Sequence, residues 1–303
     1  MPVDDPYLVR PAAGVYAYVQ PDGGWCLNNA GFVSDGGRTL LVDTAATERR
    51  ALALREAVVS TGVPLPRTVV NTHHHGDHTY GNCVFTPEAL VLGHDNARAE
   101  QLAAGHQLEM IWPATDFGAM DITAPDLTYS DRATVHVGGT EVQVLHPGVA
   151  HTTGDSVVWL PRQRVVFTGD LVFAGGTPFL AMGSLAGSLR ALELLRSLDA
   201  ETVVPGHGPL TDPSAYDSTE RYLRYVAELA REGAAKGLTP LEVARQADLG
   251  EFAAWRESER LVANVHRAYA ELAGKPEGAP LDIPAVLADM TLMNGGRPIP
   301  CHA

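Results

Sequence analysis

The chain has 303 residues, a formal net charge of -14 and 45% hydrophobic residues, enough for a buried core in one large domain or one domain with an appendage. No apolar run is long enough to span a bilayer. No Lys/Arg cluster of the kind that tracks a nucleic-acid backbone occurs, which argues against a nucleic-acid partner, and without a spanning segment no membrane partner is expected.

The first segment, MPVDDPYLVRPAAG, lacks the basic and apolar regions of a secretory signal, so a cytoplasmic location is expected. Cys26, Cys83 and Cys301 are too scattered for a disulfide framework and read as unpaired thiols. Short strands are expected near Val15 and Phe32, and an apolar strand over Arg38–Ala46. A helix should follow from about Glu48 to Ser60 with Thr47 as its N-cap. A second apolar run from Arg67 ends in a histidine cluster, and another strand end lies near Val91. Arg98 to Asp126 reads as partly helical, then loop-rich. The alternation around Gly138-Gly139 predicts a hairpin. Two strands flank the turn at Pro161–Gln163, a helix spans about Ser184 to Leu198, and a final strand ends in VVPGHGP. From Asp212 onward the pattern is helical, with Thr239-Pro240 as an N-terminus and Gly250 and Gly295 as stops. The expected division is a catalytic domain over residues 1–211 and a helical appendage over 212–303.

The chemistry gathers in Asn71-Thr72-His73-His74-His75-Gly76-Asp77-His78, at the C-terminal end of a strand, where open α/β folds place ligands. Four histidines and an aspartate so close together repel and desolvate one another unless a divalent cation offsets the cost. Alternation in an extended segment lets His73 and His75 project together while His74 turns away. Asp77 and His78 then face a second pocket, which suits two metals about 3.5–4 Å apart. His151, Asp170 and His207 each lie at a strand end beside glycine. Asp43, ending the strand LLVD, is a candidate to orient a ligating histidine. His94 and His146 read as structural or supporting groups.

This set, His-x-His-x-Asp-His followed by His151, Asp170 and His207, resembles the ligand signature of the metallo-β-lactamase superfamily, over roughly Val15 to Pro209. The resemblance implies an α/β fold, the αββα metallo-β-lactamase sandwich. It implies His73, His75 and His151 on one metal, Asp77, His78 and His207 on a second, and Asp170 bridging both. Aspartate rather than cysteine at position 170 is similar to glyoxalase II and lactonases. The expected cofactor is a pair of Zn2+ ions, with iron or manganese as the alternatives.

GGWCLNNAGFV, GDLVFAGGTPFLAMGSLAGSL and MNGGRPIPCHA further resemble the cyclase/thioesterases of this fold in aromatic type II polyketide pathways. That implies hydrolysis of a polyketide thioester from an acyl carrier protein by metal-hydroxide attack, associated with second- or third-ring closure. Asp77 and Asp170 would carry the catalytic roles, Asp77 as a proton acceptor and Asp170 between the metals. Trp25, Trp112, Phe173, Phe179 and Met182 are the candidates for an apolar substrate pocket. Arg221, Arg224, Arg260 and Arg267 are candidates for carrier docking against the unfavourable net charge. The alternatives are a glyoxalase II-like thioesterase or lactonase, and a mononuclear iron persulfide dioxygenase.

Overall fold

A computed structural model describes residues 5–303. Strands β1 (Tyr7–Ala12), β2 (Val15–Val19), β3 (Ala30–Asp35) and β4 (Arg38–Val42) form an antiparallel meander. Helix α1 (Glu48–Ser60) then crosses to β5 (Thr68–Val70), which pairs parallel with β4. Thr47 caps α1 by accepting a hydrogen bond from Arg50 N, satisfying one of the free N–H groups of the first turn. Helix α2 (Gly76–Thr79) and a 3-10 turn over Tyr80–Val84 lead to β6 (Leu90–His94), α3 (Asp95–Ala104), α4 (Gln107–Ile111) and β7 (Leu127–Tyr129), which completes a seven-stranded sheet. Strands β1 and β7 escape the sequence pattern because edge strands bury too little to show a clear alternation.

The second sheet begins with the predicted hairpin, β8 (Arg132–Val137) and β9 (Thr140–Leu145), and continues through β10 (Val157–Leu160) to β11 (Val165–Phe173). Helix α5 (Leu185–Ser197) carries the chain to β12 (Thr202–His207), which pairs parallel with β11 at the sheet edge. All nine residues of β11 are buried, so it reads as a continuous apolar run instead of an alternation.

The two sheets stack face to face. Val15, Val33, Leu40 and Val70 of the first pack with Val142, Val158, Leu160 and Phe167 of the second. Leu54 and Val58 of α1 cover the outer face of the first sheet, against Phe32, Leu41 and Val69. Helices α5, α6 (Ser214–Ala235), α7 (Pro240–Gln246), α8 (Arg260–Leu272) and α9 (Ile283–Met293) belong to the largest apolar cluster, which covers the other side. The result is the expected αββα sandwich with added C-terminal helices. Thr239 forms a full capping box with Glu242 at the start of α7. Gly250 does not end that helix. α7 stops at Gln246, and Gly250, at φ 48°, opens a 3-10 turn over Gly250–Ala254. Gly295, at φ 69°, follows α9 as predicted.

Helix α8 positions the loop after β11. Asn264 accepts from Leu180 N at 2.9 Å and donates to Pro178 O at 2.8 Å. Arg267 donates to Ala181 O at 2.6 Å and Ala279 O at 2.8 Å. Arg260 and Arg267 are therefore buried, at 1% and 0% exposure, and the expectation that they dock a carrier protein is corrected. A guanidinium enters the interior here because loop carbonyls after β11 need donors. Arg221 and Arg224 are on the surface, where they pair with Glu251 and Glu220.

Candidate metal centre

The site lies at the C-terminal ends of β5, β11 and β12. His73 and His75 follow β5, Asp77 and His78 sit on α2, Asp170 lies in β11, and His207 ends β12. His151 comes from the loop between β9 and β10, where Asp155 gathers it by accepting from the N–H groups of His151 and Thr152. The seven side chains fall into two groups with mutually close donor atoms, His73/His75/His151/Asp170 and Asp77/His78/His207. His74 turns away, as the period of two predicts, to face Glu100 at 3.0 Å. His94 and His146 stack on each other at 3.8 Å and bond Ser130 O and Asp155 O, away from the cluster.

Each ring is fixed through its outward nitrogen. His73 Nδ1 faces Thr72 Oγ1 at 3.0 Å, and that hydroxyl already donates to Asp43 Oδ2, so it accepts from the ring. His151 Nδ1 donates to Phe179 O at 2.7 Å, and His207 Nδ1 to Gly23 O at 3.1 Å. His78 Nδ1 lies 2.8 Å from Asp43 Oδ2, and His75 Nε2 lies 3.2 Å from Met182 Sδ. A nitrogen that donates outward leaves its partner in the neutral ring as a lone pair. The inner nitrogens of His73, His75 and His151 therefore present lone pairs to one another, whereas those of His78 and His207 face the Asp77 and Asp170 carboxylates.

His73 Nε2 and His151 Nε2 lie 3.0 and 2.9 Å from His75 Nδ1. His78 Nε2 is 3.1 Å from Asp170 Oδ1, and His207 Nε2 is 3.4 Å from both Asp77 Oδ2 and Asp170 Oδ2. His78 Nε2 and Asp170 Oδ1 are buried with no hydrogen-bond partner. In the first group, opposed lone pairs with no donor between them fit a divalent cation bound by imidazole and carboxylate; in the second, a cation would take the place of the imidazole protons that face the carboxylates. Asp43, at φ 58° beyond β4, is the orienting carboxylate, anchored by Thr72 N at 2.7 Å.

Burial drives His73 and His75 well below the ordinary imidazole value, and takes His151 to about 4. Burial also opposes charge on His78 and His207, but the carboxylates win. Asp170, Asp43 and Asp77 carry His78 well above its usual value, and Asp170 and Asp77 bring His207 to about 9. Asp170, despite its burial, is held well below the usual carboxylate value by His207, His78 and His151.

A pH dependence follows. The metal-free second group holds protons at neutral pH, because the pKa of His207 lies above 7, and a metal entering it must displace them. Affinity at the Asp77/His78/His207 group should rise with pH up to about 9, by as much as roughly tenfold per pH unit for each proton released. The first group, already neutral, should vary little between pH 6 and 8. Competition with a chromophoric chelator at those two pH values measures both, and a flat profile for both equivalents would contradict the assignment.

A cleft of about 820 Å³, counting its open mouth, lies over the donor atoms. All five predicted apolar residues, Trp25, Trp112, Phe173, Phe179 and Met182, line it. Trp25 makes an edge contact with Phe179 at 5.4 Å and a tilted one with Trp112 at 5.6 Å. Ile283, Leu287 and Ile299, which no sequence motif marks, complete the wall from the C-terminal region. The acceptors Thr72 Oγ1, Gly23 O and Phe179 O likewise carry no signal in the sequence. The only local hint for Ile299 is the Pro-rich ending, and Trp112 Nε1 donates to its carbonyl at 2.9 Å.

An αββα sandwich with a two-part His/Asp centre at its strand ends defines a class of metal-site proteins. The chain belongs to the metallo-beta-lactamase superfamily, whose family model matches residues 23–207. It is 31% identical over 175 residues to the 2,4-dinitroanisole O-demethylase subunit alpha of Nocardioides sp. (strain JS1661), covering 55% of this chain and 48% of that one. It is 31% identical over 156 residues to a hydroxyacylglutathione hydrolase of Rhodospirillum rubrum, covering 50% of this chain and 53% of that one. The chain thus spans about half the length of these curated relatives. Among solved structures, a metallo-beta-lactamase from Pontibacter korlensis superposes with a TM-score of 0.60 at 25% identity, covering 73% of this chain and 99% of that one. Among the described residues, no helix is long and apolar enough to cross a membrane.

Proposed function

We propose that the protein is a metal-dependent hydrolase that cleaves the thioester of a bulky aromatic acyl group, of the kind an acyl carrier protein presents in aromatic polyketide assembly. The observation that carries this reading is the cleft walled by Trp25, Trp112, Phe179, Ile283, Leu287 and Ile299 directly over the inner donor atoms. Such a wall suits a flat apolar acyl group with few polar anchors. When bound, a metal pair would supply Lewis acidity and water of lowered pKa. The chain's own residues orient the substrate. Trp25 and Phe179 meet edge to face in the wall and offer aromatic surface to an acyl ring. Of the two carboxylates at the cleft, Asp77 is the more open, with 13% side-chain exposure against 5% for Asp170, and is the group placed to take up a proton.

A second reading, a glyoxalase II-type thioesterase, is favoured by the relatives named hydroxyacylglutathione hydrolase. Against it, the arginine of the cleft lining, Arg260, is already paired with Glu257, so the carboxylates of glutathione meet no free guanidinium there. The Nocardioides relative is named for an aromatic substrate, which agrees with an aromatic-lined cleft. An iron persulfide dioxygenase needs one metal and leaves the Asp77/His78/His207 group without a role.

The test is incubation of purified protein with a bicyclic aromatic β-keto thioester and, in parallel, a hydroxyacylglutathione, following acid and thiol by mass spectrometry. Release from the aromatic thioester that disappears with chelator and returns with zinc is expected. Turnover of the glutathione thioester alone would sink the aromatic reading and keep the hydrolase.

A further inference from the structure

We infer that the segment Glu257–Arg260, just ahead of and into helix α8, is a positioning element for His207 and thereby sets the affinity of the second metal group. The inference rests on the two-metal reading of the site. His207 has two supports: its Nδ1 donates to Gly23 O at 3.1 Å, and its ring stacks on Phe173 at 5.1 Å and 8°. Phe173 is also the register partner of His207 across the β11–β12 pair. Both supports trace to the same four residues.

On one side, the loop that carries Gly23 is clamped through Trp25. Glu257 accepts a hydrogen bond from Trp25 N, and Glu259 Oε1 accepts from Trp25 Nε1 at 2.9 Å. On the other side, the Arg260 guanidinium lies 3.8 Å from the Trp25 ring centroid and 5.0 Å from that of Phe173. One buried cation thus touches the wall on each side of His207. Arg260 is held in turn by its ion pair with Glu257 and by donating to Thr177 O at 2.9 Å. Glu257 adopts φ 60°, a left-handed conformation that costs a non-glycine residue energy and persists where surrounding contacts enforce it. His73 and His78, by contrast, are anchored by Thr72 and Asp43 within the sandwich.

The consequence is selective. Loosening the clamp should free the His207 ring while leaving His73, His75 and His151 in place, because Phe179 O, the acceptor for His151, is bracketed by the bonds of Asn264 to Pro178 O and Leu180 N. Replacing Arg260 alone would strand the Glu257 carboxylate in the interior, so the pair is neutralised together as Arg260→Met with Glu257→Gln, which keeps an acceptor for Trp25 N and removes the guanidinium that bears on Trp25 and Phe173. Phe173→Leu is the second, milder variant, which keeps apolar bulk but removes the ring stacked on His207; the same ring meets His151 only at 6.1 Å and tilted, and that histidine keeps its bond to Phe179 O. Glu259→Gln retains an acceptor for Trp25 Nε1 and serves as the conservative control. Zinc titration against a chromophoric chelator reads two binding constants, with His207→Ala identifying the second, and circular dichroism verifies folding.

The second constant should weaken about 10–100-fold in the double variant and in Phe173→Leu, as for other partners that orient metal ligands, while the first stays within about twofold. Glu259→Gln should behave as wild type. Unchanged constants, or parallel loss of both, overturn the inference, and if the double variant does not fold, Phe173→Leu decides. A wild-type protein that takes up a single equivalent removes the two-metal reading together with the inference. Two equivalents in wild type with no selective loss in the variants removes the inference alone.

Discussion

Replacing Asp170 by asparagine is expected to lower kcat/KM for the aromatic thioester by at least about 10³-fold, or roughly 4 kcal/mol of transition-state stabilisation. The carboxylate belongs to the first donor group and also lies close to two histidines of the second. Its Oδ1 lies 3.1 Å from His78 Nε2, and its Oδ2 lies 3.4 Å from His207 Nε2 and 3.5 Å from His151 Nε2. Asparagine fills the same volume but removes the charge and turns N–H groups toward nitrogen or metal. Folding should survive, because the lost anion is balanced by easier deprotonation of His78 and His207, whose charge it sustains. Zinc content by elemental analysis should fall in step with the rate. A variant that keeps two metals and wild-type turnover would show that Asp170 does not join the two groups.

Gly206→Ala should come close to the same loss by a different route. A Cβ at position 206 would lie 1.9 Å from Asp170 Oδ1 and 2.7 Å from the carbonyl carbon of Gly169. The Gly169 backbone cannot retreat, since β11 and β12 are paired in a buried strand ladder, so the side-chain carboxylate must. The methyl group must displace the carboxylate, costing about 1–3 kcal/mol of stability by overpacking and roughly 10²–10³-fold in kcat/KM, about 3–4 kcal/mol. Because both changes act on the same carboxylate, they should not add. In the Asp170→Asn background, Gly206→Ala should cost little further activity. Full additivity in a double-mutant cycle would mean that the glycine is needed for some reason other than Asp170.

The helical appendage is where sequence reading and structure part most clearly. Its periodicity placed α6, α8 and α9, and its arginines looked like surface groups on helix faces. Arg221 and Arg224 are surface groups. Arg260 and Arg267 point inward, to carbonyls of the loop that follows β11. An amphipathic pattern marks the apolar face of a helix, but a buried arginine on that face is indistinguishable from a boundary residue until its partners are known.

The amino-acid sequence by itself determined the chemistry of the centre and the elements that carry it. His73-x-His75-x-Asp77-His78 needs only the alternation of an extended segment and the start of a short helix to sort its donors into two groups and to turn His74 out. The apolar runs ending at His73 and His207 mark strand ends for equally local reasons, whereas β11 runs on past Asp170 to Phe173. Only the tertiary structure decided which acceptor fixes each ring, that Ile283, Leu287 and Ile299 close the cleft, and that Trp25 is clamped by residues 232 and 234 positions away. Those contacts exist because two sheets stack and a helical layer docks on them. Local periodicity specifies which face of an element is buried, and says nothing about which distant element will cover it.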